Sequence, residues 1–426
     1  MIRRTRTILF FICAFLVILI SPLVIFYCQG YRFDFQTHKI SKTGGVFLNI
    51  NPKQTEIYID GELVKKTDPF FGSVLIDNLL PKKYSVEVRK DGYFAWSKAL
   101  NVKEKEVTEV KNIILFQKDQ KFDTLSKLVE NFWLSPDGKK IILKERNDKN
   151  WALKLYDLDK KVKSHLILET DISKTGADLM NLEFSSDSKE IYLDIGVKEQ
   201  EKNFSLRLDK ASPALVKRTI TEEKIPIENV IAYQKFSNEI YYLDSSGYLF
   251  KTDSYWNFGT KMNETPFPMQ QETEYKIEKL SDSIFLKENQ NFYLLNSDLK
   301  SFVKFAEGIN DIKLSPDSEK LTYFSDSEIW LFFPKEILAQ PPKKAGEKVL
   351  LFQSTDKINN VFWLNSDYII FNSGDKIKIA ETDDRNKINI VDLTEYKNPE
   401  ILLNDTNHKL YILSEGVFYS SDNLLP

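Results

Sequence analysis

The sequence predicts an all-β protein carried behind a single N-terminal transmembrane helix. Three observations point there. Ile8 to Tyr27 form an uncharged apolar run. Beyond it, Val, Ile, Tyr and Phe crowd short alternating segments bounded by Gly, Pro, Asn and Asp, the pattern of strands and tight turns. From Asn131 onward a strand–turn–strand unit recurs to the end of the chain.

About 20 apolar residues match the hydrocarbon thickness of a bilayer, and Pro22 is tolerable in such a helix. Arg3, Arg4 and Arg6 precede the run, so the positive-inside rule predicts residues 1–7 in the cytoplasm and the rest outside, after a span at 8–28. A tail of that length is too short for an output domain, which argues against a sensor. "VIFYCQG" has bulky residues where a cleavage site needs small ones, and Tyr27 precedes Cys28, so an uncleaved anchor is expected rather than a signal peptide. Cys13 and Cys28 are the only cysteines. The exported part therefore has no disulfide or thiolate metal site and relies on its core.

Basic residues number 59 and acidic 62, well interspersed, for a net charge of −3. No field favours nucleic acid. Aromatics at 13% lean toward strands.

After a tether at 29–44, residues 45–117 read as a small β domain. "VFLNI", "TEIYIDGELV", "SVLIDNL", "KYSVEVRK", "YFAWSKALNV" and "VTEVKNIILF" follow one another, with Asp60-Gly61 as a hairpin signal. Pro52, then "IYIDG", Thr67-x-Pro69 and "LPKKYSVEVRKDGY" give this segment its resemblance to the PEGA domain. The resemblance implies a β-sandwich-like module of the kind common in prokaryotic surface proteins. The signature tetrapeptide departs from the family's, keeping only Pro52 in "PKQT". Tyr93 and Trp96, after the Asp91-Gly92 turn, are expected on opposite sides of a strand as core rings. The competing reading has Phe94 or Trp96 stacking on a glycan or partner.

Residues 118–426 are read as a β-propeller. Units start at Asn131, Asn181, Asn229, Lys276, Asp311, Asn360 and Pro399, offsets that suit propeller blades of four short strands. Seven blades are expected, with six or eight left open because the third and fourth units are weak. Ser135–Gly138 spells "SPDG", where Pro136 presets a turn and Asp137 accepts backbone hydrogen bonds; Asp187 and Asp317 recur in the same place. This turn resembles the hairpin of TolB-type and WD40-like repeats. One unit cannot bury its faces alone, so a closed ring follows.

No catalytic motif is present: no G-x-S-x-G, Walker A, G-x-G-x-x-G or H-E-x-x-H. His38, His165 and His408 are the only histidines and are read as solvated loop residues. Asp157 and Asp159, and Asp383 beside Asp384, are read as turn and hairpin carboxylates rather than calcium ligands. No catalytic, metal or cofactor residue is assigned, and no cofactor is expected.

Two loops break the repeat. Asp253 to Tyr275 carries Trp256, Phe258, Phe267 and Met269, read either as a flap packed on the ring or as a partner-binding site. Phe333 to Lys348, proline-rich and basic, is expected to be a stiff connector. The resulting expectation is a membrane-anchored extracytoplasmic binding or scaffold protein of the cell envelope, not an enzyme, its propeller a platform for an envelope protein or glycan. The alternative is an exported hydrolase or lyase acting on envelope polymers. Two buried carboxylates facing each other in the central channel would favour that alternative.

Overall fold

The computed structural model describes residues 3–35, 38–147, 150–198, 200–209, 214–219 and 225–425. One helix, Arg3–Cys28, contains the stretch Ile8–Cys28, long and apolar enough to cross a membrane. It is followed by a hairpin of Tyr31–Asp34 against Lys39–Lys42. The tether is thus partly structured: Arg32 lies 3.5 Å from the Tyr27 ring centroid and donates to Asn78 Oδ1 at 2.9 Å, joining the end of the helix to the domain beyond it.

That domain has two sheets over one core. In the first, Gly44–Asn51 lies between Ser73–Leu79, antiparallel, and Val107–Ile114, parallel. The second runs in the order Glu62–Lys66, Glu56–Ile59, Lys83–Arg89, Trp96–Asn101. Alternation does the work: Ile57, Ile59, Tyr84, Val86 and Val88 point inward and meet Val46, Leu48, Val74 and Ile76 from the facing sheet. Buried Thr55 and Thr67 tie the strand ends together, Thr55 N donating to Thr67 Oγ1 and Thr55 Oγ1 to the Pro52 carbonyl. Tyr93 and Trp96 do not straddle a strand as expected. The chain between them is irregular, the regular strand begins only at Trp96, and both rings pack on the same core.

Seven four-stranded antiparallel sheets follow, in agreement with the blade count expected from the repeat. Their innermost strands are Val129–Leu134, Asp178–Phe184, Val230–Phe236, Tyr275–Leu280, Asp311–Leu314, Ile358–Asn365 and Glu400–Asn404, defining blades 1 to 7. Blade 7 takes its fourth strand, Phe122–Lys127, from the start of the propeller, paired antiparallel with Val417–Ser421. The two ends of the ring are thereby held by one backbone ladder. The turn between first and second strands repeats in detail. Ser135 and Ser185 each donate Oγ–H to the Asp two residues on, and that Asp accepts from the backbone two residues further. Blades 3 and 4 shorten this turn to two residues, Ser237-Asn238 and Ser281-Asp282, with Ser237 and Ser281 at positive φ, which is why their repeat is faint in sequence. Gly138 has φ +67°, and a Cβ there would meet Thr406 Oγ1 at 2.6 Å. Its carbonyl accepts from Asn404, stitching blade 7 to blade 1.

Candidate interaction surface

In each blade the turn from first to second strand and the turn from third to fourth strand lie at the same end, because the strands are antiparallel. On this end of the ring sit both the docked N-terminal domain and the most exposed rings of the propeller.

The N-terminal domain docks on blade 6 and on the 333–348 segment of blade 5. Trp96 is 2% exposed, and its Nε1 donates to Glu381 Oε2 at 2.7 Å. Lys98, with a fully buried side chain, lies 2.6 Å from Glu381 Oε1 and 3.5 Å from Asp383 Oδ1, and donates to the Asp383 carbonyl. Asn389 adds a backbone and a side-chain donor to Glu381. Burial pushes the Glu381 carboxyl up despite Lys98. Burial would also raise Asp383, but Arg385 and Lys98 overcome it and hold that carboxyl below its usual range. Arg385 also donates to the Glu109 carbonyl, and Asn112 Nδ2 to Asp367. Phe94 and Phe116 pack with the blade 6 and 7 core, Phe116 edge-on to Tyr368. The aromatic cluster therefore fills a core and an interdomain seam, leaving no platform for stacking. Asp383 and Asp384 are seam residues as well, Asp384 pairing with Lys343.

The 333–348 segment is more than a connector. It joins the third and fourth strands of blade 5. Gln340 there donates to the Val107 carbonyl and accepts from Glu109 N, continuing the edge of the N-terminal domain. A cavity of ≈ 300 Å³ in this seam is lined by Asp317, Lys320, Asp383 and Arg385, which already pair among themselves.

The other loop is not a single insertion. Thr260–Lys261 pairs with blade 3's third strand as its fourth, dividing 253–275 into two pieces at opposite ends of the ring. Phe267 and Met269 fall in the second piece and pack between blades 3 and 4. Phe267's backbone lies so close to Gly247 that a Cβ there would stand 2.0 Å from its carbonyl oxygen. The first piece is a turn organised by Asp253, which accepts from Tyr255 N and Asn257 N. Trp256 leans on Tyr233 and Tyr242. Phe258 is 95% and Tyr255 81% exposed. Trp256 and Phe258 hold φ of 64° and 54°, rare for bulky residues and costly unless the surroundings impose it. Of the four side chains singled out in the sequence, Phe267 is core, Trp256 and Met269 are half-buried and Phe258 is bare. Tyr255, not singled out, joins Phe258.

His38 is exposed, as expected; His165 is exposed too, but it lies in the strand Val162–Leu168 and not in a loop. His408 is not simply solvated: its Nδ1 is buried with no hydrogen-bond partner. Asp157 is a turn carboxylate, accepting from Lys160 N at 2.9 Å. Glu400 and Asp405 have carboxyls raised by the protein crowded round them, yet they stand at opposite ends of blade 7's inner strand. At ~3.3 Å per residue that is roughly 16 Å, too far to share one bond-breaking step.

Residues 43–114 match the PEGA domain family. This segment is a PEGA domain. No curated protein matches the chain. Among solved structures it is similar to YCF48 from Cyanidioschyzon merolae, at 10% identity and TM-score 0.41, covering 71% of this chain and 98% of that one. It is also similar to the β-propeller domain of Cps50 (Swd1) from Myceliophteria thermophila, at 12% and 0.38, covering 70% and 97%. A third is an oligogalacturonate lyase in complex with manganese, at 12% and 0.38, covering 72% and 94%. At such similarity the propeller assignment rests on the strand order and ring closure described above, and the PEGA domain is the module docked on its sixth blade.

Proposed function

We propose that this chain is a membrane-anchored scaffold of the cell envelope, its propeller held outside the membrane as a platform that binds an envelope protein. The supporting observation is the pairing, on one end of the ring, of a fastened blade with a bare one. Blade 6 is locked to the PEGA domain through buried Lys98, Glu381 and Trp96, which suits a bracket. Blade 3 presents Tyr255 and Phe258 on a turn whose backbone holds the rings outward, and exposed aromatics with a polar surround favour protein contact. The arginines before the apolar helix favour residues 1–7 inside the cell.

A photo-crosslinking residue placed at Phe258 in the full chain, in native membranes, tests this. A discrete adduct with an envelope protein, lost in Tyr255→Ala, is expected. Adducts confined to glycan, or none at all, would reject the protein-platform reading. Turnover of an envelope polymer by the purified protein would replace it with a hydrolase or lyase. Protease treatment of intact cells should remove residues beyond 30, and full protection would reverse the topology.

A further inference from the structure

The hairpin of Tyr31–Asp34 against Lys39–Lys42 begins three residues after the apolar helix ends at Cys28. Its base is fixed to that helix. The Gly30 carbonyl accepts from Thr43 N at 2.9 Å and from Thr43 Oγ1 at 3.0 Å, and Arg32 donates to the Tyr27 carbonyl at 2.7 Å. The Phe26 and Tyr31 rings meet edge to face, their centroids 5.4 Å apart. Helix and hairpin are thus joined by bonds and packing rather than by a slack linker.

The two sides of the hairpin differ. Cross-strand partners share a side, and neighbours along a strand alternate. Tyr31, Phe33, Ile40 and Lys42 therefore stand on one side, and Arg32, Asp34, Lys39 and Ser41 on the other. Phe35 joins the first side, its ring centroid 5.1 Å from that of Phe33. The second side is turned to the PEGA domain, where Arg32 donates to Asn78 Oδ1 at 2.9 Å. The first side lies open: Phe35 is 82% and Ile40 68% exposed, and Phe33 is exposed as well. The hairpin has the alternation of a half-buried strand pair, with its apolar half left unburied.

Position decides what covers that half, and here the argument rests on the membrane-anchor reading of the helix. Phe26 lies within the apolar span, two residues before its end. Its contact with Tyr31 means that the open side starts at the depth of the last helical turn. Aromatic rings are favoured at that depth. Lys42, on the same side, holds its ammonium 4.9 Å from the Tyr31 ring centroid, a cation beside apolar groups as a headgroup layer favours. A protein partner would first have to displace the lipid headgroups already there. Exposure alone does not make such a site. Phe70 is 75% exposed, but it lies beyond the far end of the strand Ser73–Leu79 from Asn78, at least roughly 17 Å away. We infer that Tyr31, Phe33, Phe35 and Ile40 dip into the headgroup layer of the membrane, on the side that holds the rest of the chain. Because Arg32 and Thr43 couple the hairpin to the helix and to the PEGA domain, this lipid contact also sets the angle at which the β domains leave the membrane.

The test uses the full chain in nanodiscs, with Cys13→Ala and Cys28→Ala and one new cysteine carrying an environment-sensitive fluorophore. Lipids spin-labelled near the headgroup and aqueous iodide serve as opposing quenchers. Labels at Phe35→Cys and Ile40→Cys should be quenched by the lipid several-fold more than a label at Phe70→Cys, and by iodide several-fold less. Phe33→Glu with Ile40→Glu should lower the lipid quenching at Phe35→Cys several-fold. All these side chains are exposed, so the substitutions spare the core. Labels at 35 and 40 that iodide reaches as readily as it does at 70 would overturn the inference. Labels shielded from iodide yet untouched by the lipid quencher would also overturn it, and would give this side to a protein such as a second copy. A label at Leu16→Cys, read with lipids spin-labelled deep in the acyl chain, separates the two readings. With quenching at Leu16→Cys retained, only the hairpin inference falls; without it, the anchor falls too.

Discussion

Blades 3 and 6 share one architecture and present their turns at the same end of the ring, yet one is bare and the other is covered. In blade 6 the inner strand Ile358–Asn365 buries Ile358, Val361, Trp363 and Leu364, and the third-to-fourth-strand turn carries Asp383 and Arg385 into the PEGA seam. In blade 3 the inner strand Val230–Phe236 is largely open, and the corresponding turn ends in Tyr255 and Phe258 in solvent. The difference lies in what the third-to-fourth-strand turn carries. Charges that find partners in a second domain make a lock, whereas rings that find none make a contact surface. A blade is a neutral support; its turns decide what it does.

The strongest way to break this contrast is at Lys98. Lys98→Met leaves Glu381 buried without its cation, while Asp383 keeps Arg385, which should cost about 3–5 kcal/mol. Urea unfolding should show it, and Lys98→Met with Glu381→Gln should recover part of the loss; a single-variant effect under about 1 kcal/mol would mean that the seam is not held by this pair. Next come the two tryptophans. Trp96→Ala, in the core and seam, should cost roughly 3–5 kcal/mol, while Trp256→Ala, half-buried on blade 3, should cost about 1–2. Equal losses would erase the distinction between the blades.

Acidity sharpens it further. Asp383 is held below the usual carboxylate range, so its contribution is complete above the unfolded-state value and disappears as pH falls through the folded-state value. The melting-temperature gap between the native protein and Asp383→Asn should therefore be widest near neutral pH and close on acidification. Glu381, pushed up by burial, acts with the opposite sign, so Glu381→Gln should not reproduce that closing gap. The smallest effect belongs to Phe258→Ala: a ring in solvent should change stability by no more than about 0.5 kcal/mol, and a larger loss in thermal melting would mean that the ring packs on something.

Much of the architecture is legible in the chain because it is local. The hairpin turns at Ser135–Gly138 and Asp187 are set by residues within five positions, and alternation marks which face of each strand is buried. The fourth strands were not legible. Thr260–Lys261 is two residues long, and Phe122–Lys127 belongs to a blade whose other strands lie nearly 300 positions later. Missing the first of these made residues 253–275 look like one insertion, which merged a buried piece with a bare one.

The sequence alone determined the apolar helix, the two-part all-β layout behind it and the PEGA resemblance, and it favoured seven blades over six or eight, since each depends on periodicity and turn chemistry over a few neighbouring residues. Only the tertiary structure decided that Trp96 and Lys98 face a propeller blade, that 333–348 reaches back to the PEGA edge, and that Phe258 alone of its group stays in water. Those outcomes depend on which surfaces meet when the ring closes, and burial and charge pairing between distant segments have no period to read.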